Sequence, residues 1–270
     1  MAYYTLTFLI AFFAALCLVY FLRNVQHKIT FQPRKEIQET PTALSLNFDN
    51  ITFKDASGNT LYGWFVKTPD ADTTILFCHG SGGNLSNRVD TAAAFSSLGF
   101  NFVVFDYAGY GTSEGEPSEE AFYEGADAAY DYLVKTEGLP AHKIIVVGRS
   151  LGGAPAALLA RHYSPRGLIL ESSVLDYAMA TRDRLKLILP KFLLRYSFDT
   201  KDILNSVTCP VLIIASRDDS VVKLRNSELL LKYAPKGTRL ITLTGDHDDC
   251  YFFCKDKYLN AVSEFAKKLK

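Results

Sequence analysis

From Leu6 to Leu22 the chain reads LTFLIAFFAALCLVYFL, a run with no charged side chain and no polar face. About 20 apolar residues in a helix cross the hydrocarbon core of a bilayer. No Lys or Arg precedes the run, and it ends in Tyr20-Phe21-Leu22 rather than in the small-x-small site of a cleaved signal peptide. Leu16 is too bulky to stand before a lipidated Cys17. The run reads as an uncleaved anchor within residues 1–22, entering the membrane through residues 5–22, with aromatic residues at both ends suited to the interfaces. A buried core helix is the alternative. Arg23, Lys28, Arg34 and Lys35 follow the span and only the α-amino group precedes it, which places the rest of the chain on the cytoplasmic side.

A polar stretch with two prolines, residues 23–42, reads as a connector, and the folded domain is expected over 43–270. Residues 46–67 alternate apolar and polar positions around Ser57-Gly58-Asn59, the pattern of a β-hairpin. Short apolar runs then alternate with helical stretches. Strands are predicted in TTILFCHG, NFVVFDYAG, KIIVVG, RGLILES, CPVLIIAS and TRLITLTG. Helices are predicted in NRVDTAAAFSSLGF, in residues 117–138 with Gly138 as the stop, in GGAPAALLARHY and in the C-terminal KDKYLNAVSEFAKKL. Continuous apolar strands separated by helices make an α/β fold, with a mainly parallel central sheet covered on both faces and the hairpin as its antiparallel edge.

Composition narrows the function classes. Lys+Arg and Asp+Glu both number 29, and no dense basic block occurs, so a nucleic-acid partner is not expected. Five cysteines are too few and too scattered for a disulfide framework. Cys250 and Cys254 form a C-x-x-x-C with no second ligand pair, so they read as packing residues on a helix and no metal is expected.

The chemistry gathers where KIIVVG passes into GGAPAALLARHY. Gly148-Arg149-Ser150-Leu151-Gly152 at a strand-to-helix turn is the nucleophile-elbow pattern. The glycines are needed because side chains there would collide with the neighbouring strand and helix, and the turn lifts the Ser150 hydroxyl above the sheet. A nucleophilic serine needs a histidine base held by an acid, in the chain order Ser, acid, His. His27, His79 and His142 precede Ser150, and His162 lies late in the following helix. His247, just after the last predicted strand, is the base by position. The acid belongs in the loop after CPVLIIAS, where Asp218 and Asp219 stand side by side; Asp219 is favoured and Asp218 is the alternative. Asp246, Asp248 and Asp249 read as surface or helix-capping acids. An oxyanion needs backbone N–H donors; Leu151 supplies one, and Ser81 in His79-Gly-Ser-Gly-Gly-Asn84 the second. His79 reads as a residue that holds this loop. Asp106, Gly109 and Gly111 read as shaping a turn beside the mouth of the site. The loop lacks both the Walker Lys-Ser/Thr and G-x-G-x-x-G, so nucleotide binding is discounted.

Taken in order, HGSGGN, FDYAGYGTSEG, GRSLGG, LIIASRDDSVV and GDH resemble the motif set of the α/β-hydrolase superfamily, over most of the chain from about Thr52 onward. The anchor followed by ITFQP is similar to a subgroup of membrane-anchored, small-lidded serine hydrolases that includes protein depalmitoylases. The resemblance implies the α/β-hydrolase fold, supports Asp219 through a G-x-x-D-x-x-V pattern falling on Ser216, Asp219 and Val222, and supports Ser81 as the oxyanion residue. The chain departs from the pattern at Ala215, Ser216 and Asp246. Residues 172–208 fall where the superfamily inserts its lid, and leave room for two or three short helices. LKLILPKFLLRY is expected to form a lid helix pair, or a surface touching the bilayer.

The expected activity is that of a monomeric, membrane-anchored serine hydrolase of the esterase or thioesterase type. Its substrate would be a small-molecule or lipid-like acyl compound, and it would need no cofactor. A serine peptidase with the same triad and a catalytically silent membrane scaffold are the alternatives.

Overall fold

The computed structural model describes residues 2–186, 188–249 and 253–269. In chain order the helices are α1 (Ala2–Thr30), α2 (Val89–Ser97), α3 (Glu119–Asp131), α4 (Gly153–Tyr163), α5 (Tyr177–Leu185), α6 (Thr200–Leu204), α7 (Arg225–Tyr233) and α8 (Lys255–Lys268). The strands are β1 (Gln32–Pro33), β2 (Phe48–Lys54), β3 (Thr60–Val66), β4 (Thr74–Cys78), β5 (Gly82–Gly83), β6 (Asn101–Phe105), β7 (Ile144–Arg149), β8 (Gly167–Glu171), β9 (Val211–Ser216) and β10 (Arg239–Leu243).

Among the described residues, eight strands form the main sheet in the order β10-β9-β8-β7-β4-β6-β3-β2. The pairs from β10 to β6 are parallel, and β2 and β3 are antiparallel at one edge. Strands β4, β8 and β9 are buried along their whole length, because helices cover both faces; this is why they read as unbroken apolar runs. One face packs Tyr107, Phe122, Ala126 and Leu170 beneath the lid, and the other packs Phe77, Phe95, Phe102 and Val262. The strand order reverses on either side of β4 and β7, and the loops leaving their C-terminal ends meet there, where open α/β sheets bind ligands.

Three elements differ from the sequence reading. Helix α1 does not stop at Leu22 but continues to Thr30, and the expected connector is strapped to the domain. The Gln32 N–H donates to the Ser81 carbonyl at 2.9 Å, the Arg34 N–H donates to the Gly83 carbonyl at 3.0 Å, and β1 pairs with β5. The Asn84 amide donates to the carbonyls of Arg34 and Glu36 at 3.0 and 2.7 Å. Polar composition reads as a connector, whereas backbone groups of Gln32, Arg34 and Glu36 bond to residues 81–84. Helix α7 was not anticipated.

The lid departs from the reading as well. It consists of α5, a single 3-10 turn at Lys191–Leu193, and α6. Among the described residues of LKLILPKFLLRY no helix pair forms: Lys186 ends α5 in a left-handed conformation at φ 55°, and Pro190 precedes the short turn. Leu187 within that stretch, and Cys250 of the C-x-x-x-C, lie outside the described residues.

Helix α1 is long and apolar enough to cross a membrane, and its most apolar stretch is not buried by the described residues. Its last two turns do the opposite. Gln26 donates to the Leu193 carbonyl at 2.8 Å and accepts the Arg195 N–H at 3.0 Å. His27 Nδ1 lies 2.7 Å from the Tyr196 hydroxyl, and the Thr30 hydroxyl lies 2.7 Å from that of Tyr177. Phe31 is buried against Phe122, Tyr196 and Phe198.

Candidate active site

Ser150 follows β7 directly and opens the 3-10 turn that feeds α4. Its φ of 55° is left-handed, a conformation an L-residue with a side chain adopts only when its surroundings enforce it. The enforcement is steric. A Cβ at Gly148 would lie 2.5 Å from the Ala156 Cβ, and one at Gly152 would lie 2.2 Å from the Cys78 carbonyl oxygen. With no side chain at either position, strand and helix close on the turn and Ser150 is pushed above the sheet. Gly80 faces it, with the position of its missing Cβ 3.1 Å from the Ser150 Cβ.

Asp219 and His247 come from the loops after β9 and β10, two adjacent parallel strands. His247 Nδ1 lies 2.7 Å from Asp219 Oδ2, with the Asp219 side chain fully buried and that of His247 11% exposed. The other Asp219 oxygen accepts the N–H groups of Val221 and Val222 at 2.9 and 2.7 Å. Burial pushes the Asp219 carboxyl up, but the bond and charge of His247 and the two backbone donors outweigh it and hold the group below the ordinary carboxylate range. Asp218 points elsewhere and accepts the Gly245 N–H at 3.2 Å. Ser150 and His247 line one cleft of about 710 Å³, with no direct hydrogen bond between them among the described residues. Such contacts are often long in unliganded enzymes and tighten around substrate.

Ser81 lines the same cleft, and Ser81 and Leu151 both border a smaller space beside Ser150. The Ser81 carbonyl is fixed from two sides, by Gln32 and by the Tyr110 hydroxyl at 2.9 Å. His79 is wholly buried against Tyr107 and Tyr110, with Nδ1 donating to the Gly80 carbonyl at 2.6 Å, and so braces the loop from beneath. Asp106 accepts the Leu85 N–H at 2.8 Å, which ties the turn after β6 to the same loop. His142 and His162 are exposed on other elements, and His27 belongs to the α1–lid contact.

Ser216 and Asp246, two departures from the family pattern, join the loops after β9 and β10. The Ser216 hydroxyl donates to the Gly245 carbonyl across the gap between them. Asp246 accepts the Ser220 N–H and hydroxyl at 2.7 and 2.9 Å. The backbone donors of Ser220 and His247 and the Ser220 hydroxyl hold its carboxyl down at about 2. Asp246 is exposed, as expected of a surface acid, and also clasps the two loops together. Sequence reasoning missed Arg149, whose guanidinium donates to the His247 carbonyl at 2.6 Å and to Asp248 at 3.1 Å. It joins the elbow to the histidine loop. Among the described residues no group of three or more His, Cys, Asp or Glu could hold a metal ion.

A family model of the alpha/beta hydrolase fold matches residues 73–209. The chain belongs to the α/β-hydrolase family. Within it, the chain is 30% identical to the alpha/beta hydrolase domain-containing protein WAV2 of Arabidopsis thaliana, over 90% of this chain and 88% of that protein. The alpha/beta hydrolase domain-containing protein 17C of Mus musculus is 29% identical over 78% of this chain and 65% of its own length. Among solved structures, the Pyrococcus furiosus esterase Pf2001 superposes with a TM-score of 0.76 at 18% identity, covering 89% of this chain and 98% of that one. An α/β-hydrolase from Vibrio vulnificus superposes at 0.74 with 22% identity, covering 90% and 92%. At these identities the structural likeness concerns the fold.

Proposed function

We propose that this α/β-hydrolase is a membrane-anchored serine hydrolase that cleaves carboxylic esters or thioesters through an acyl-enzyme on Ser150. One observation carries the reading: a buried Asp219 carboxylate 2.7 Å from His247 Nδ1, on loops that bring His247 into the cleft of the strained Ser150. Asp219 fixes the tautomer that leaves His247 Nε2 free to accept a proton. Ser150 Oγ attacks the acyl carbon as Nε2 takes its proton, and the N–H groups of Leu151 and Ser81 receive the oxyanion. His247 then protonates the departing alcohol or thiol. Water, deprotonated by the same imidazole, releases the acid and restores the serine. The fold neighbour from Pyrococcus furiosus is an esterase, in agreement with this chemistry.

Helix α1 is the anchor. Its most apolar stretch is exposed among the described residues, and Arg23 and Lys28 at its inner end favour a cytoplasmic domain. A fluorophosphonate probe tests the reading: it should label the folded protein at Ser150 and fail to label Ser150→Ala. Folded wild type that takes no label is a binding scaffold and not a serine hydrolase. A tag fused after the last residue should be protected in intact cells, and a tag reached from outside would reverse the orientation.

A further inference from the structure

Two spaces meet at Ser150. The first is the open cleft of about 710 Å³, bordered by Arg34, Asp90, Asp183, Lys186 and His247. The second is a slot of about 60 Å³ bordered by Leu151, Val174, Tyr177, Val222 and, from the last turn of α1, Ile29 and Thr30. Ser150 and Ser81 border both, while His247 borders the cleft alone. That asymmetry assigns the two halves of a substrate. The proton on His247 goes to the leaving atom, so the leaving group occupies the cleft. The acyl chain then has the slot.

We propose that the last turn of α1 is a wall of the acyl-binding slot and limits the length of acyl group that the site accepts. The inference rests on the serine-hydrolase reading above. The wall is fixed in place: Thr30 and Tyr177 are both buried and joined at 2.7 Å, and the Phe31 ring behind them is held among aromatic side chains. A slot of about 60 Å³ offers room for about four to six water molecules, each needing ~10–15 Å³ of such space. It admits an acyl tail of about four to six carbons beyond the carbonyl. The cleft lies within the ~300–1,000 Å³ range of sites that take whole small-molecule ligands.

The test is the chain-length profile of kcat/KM on p-nitrophenyl acetate, butyrate, hexanoate and octanoate, with the full-length protein in detergent. Wild type should be fastest on butyrate or hexanoate and at least tenfold slower on octanoate. Ile29→Ala should raise octanoate relative to butyrate by about tenfold, the scale of one methylene in an apolar pocket. Ile29→Phe should shift the optimum to acetate. Leu18→Ala, on the apolar stretch of the same helix, should leave the profile unchanged. Labelling by a short-chain fluorophosphonate verifies that each variant keeps an intact site. Labelled Ile29 variants with the wild-type profile, or a wild type fastest on octanoate, would overturn the proposal. A wild type that takes no label at Ser150 removes the hydrolase reading, and the slot with it.

Discussion

Side chains around Ser150 act mostly by being absent or by being held. A methyl group at position 152 would meet the backbone oxygens of Cys78 and His79, which cannot rotate away. Gly152→Ala should therefore displace the elbow, costing about 1–3 kcal/mol, and thermal unfolding with probe labelling at Ser150 would record both losses. Asp219→Asn should leave the fold intact and lower kcat by about three to four orders of magnitude, because the amide can hold the imidazole in the wrong tautomer. A variant within tenfold of wild type would show that the acid acts from elsewhere. Ser150, Asp219 and His247 were legible because the elbow is a local pattern and the other two follow it in a fixed order. Arg149 was not, since its partner carbonyl is 98 residues away and an arginine inside G-x-S-x-G has no local signature of that contact.

At the scale of elements, the loops after β9 and β10 behave as one unit. The bonds from Ser216 and Asp218 to Gly245, and from Ser220 to Asp246, close the gap between them. Asp246 is held at about 2, below the usual 3.8, so its contribution is present above the usual value and disappears as pH falls towards 2. Melting curves of wild type and Asp246→Asn should thus differ at neutral pH and converge near pH 2; a constant offset would contradict the clasp. The contact between α1 and α5 has its own test. Tyr177→Phe leaves the Thr30 hydroxyl buried without its partner, a loss of about 1–3 kcal/mol that should lower Tm. The strands were legible from their unbroken apolar runs. Helix α7 was not, because consecutive Leu229, Leu230 and Leu231 hide the helical period and Leu230 alone of the three is fully buried. The strap at 32–36 was hidden for another reason: pairing between short segments 50 residues apart leaves no trace in local composition.

For the molecule as a whole, the apolar and the folded parts overlap within one helix. Removing residues 1–22 should leave the domain folded and Ser150 reactive. Removing residues 1–31 also takes away Gln26, Thr30 and Phe31, and should cost about 3–5 kcal/mol for the ring alone. It should also open the slot and broaden the range of acyl lengths. Melting temperature and probe labelling of the two truncations distinguish a helix that merely tethers from one that completes the domain. The fold class was legible from the order of elements, whereas the inner end of α1 reads in sequence as the start of a polar tail.

Because α1 runs without a break from the apolar stretch into the lid contact, the protein has a mast and not a leash. Leu22 to Thr30 spans eight helical steps, about 12 Å at 1.5 Å each. With residues 5–22 in a bilayer, Ser150 is carried at one nearly constant height above the lipid, and the domain sweeps sideways with its helix instead of swinging around a hinge. As the anchored hydrolase proposed here, the protein would sample a thin layer beside the membrane. A bond borne on a lipid or on another membrane protein passes repeatedly through that layer, while a freely diffusing ester crosses it only by chance.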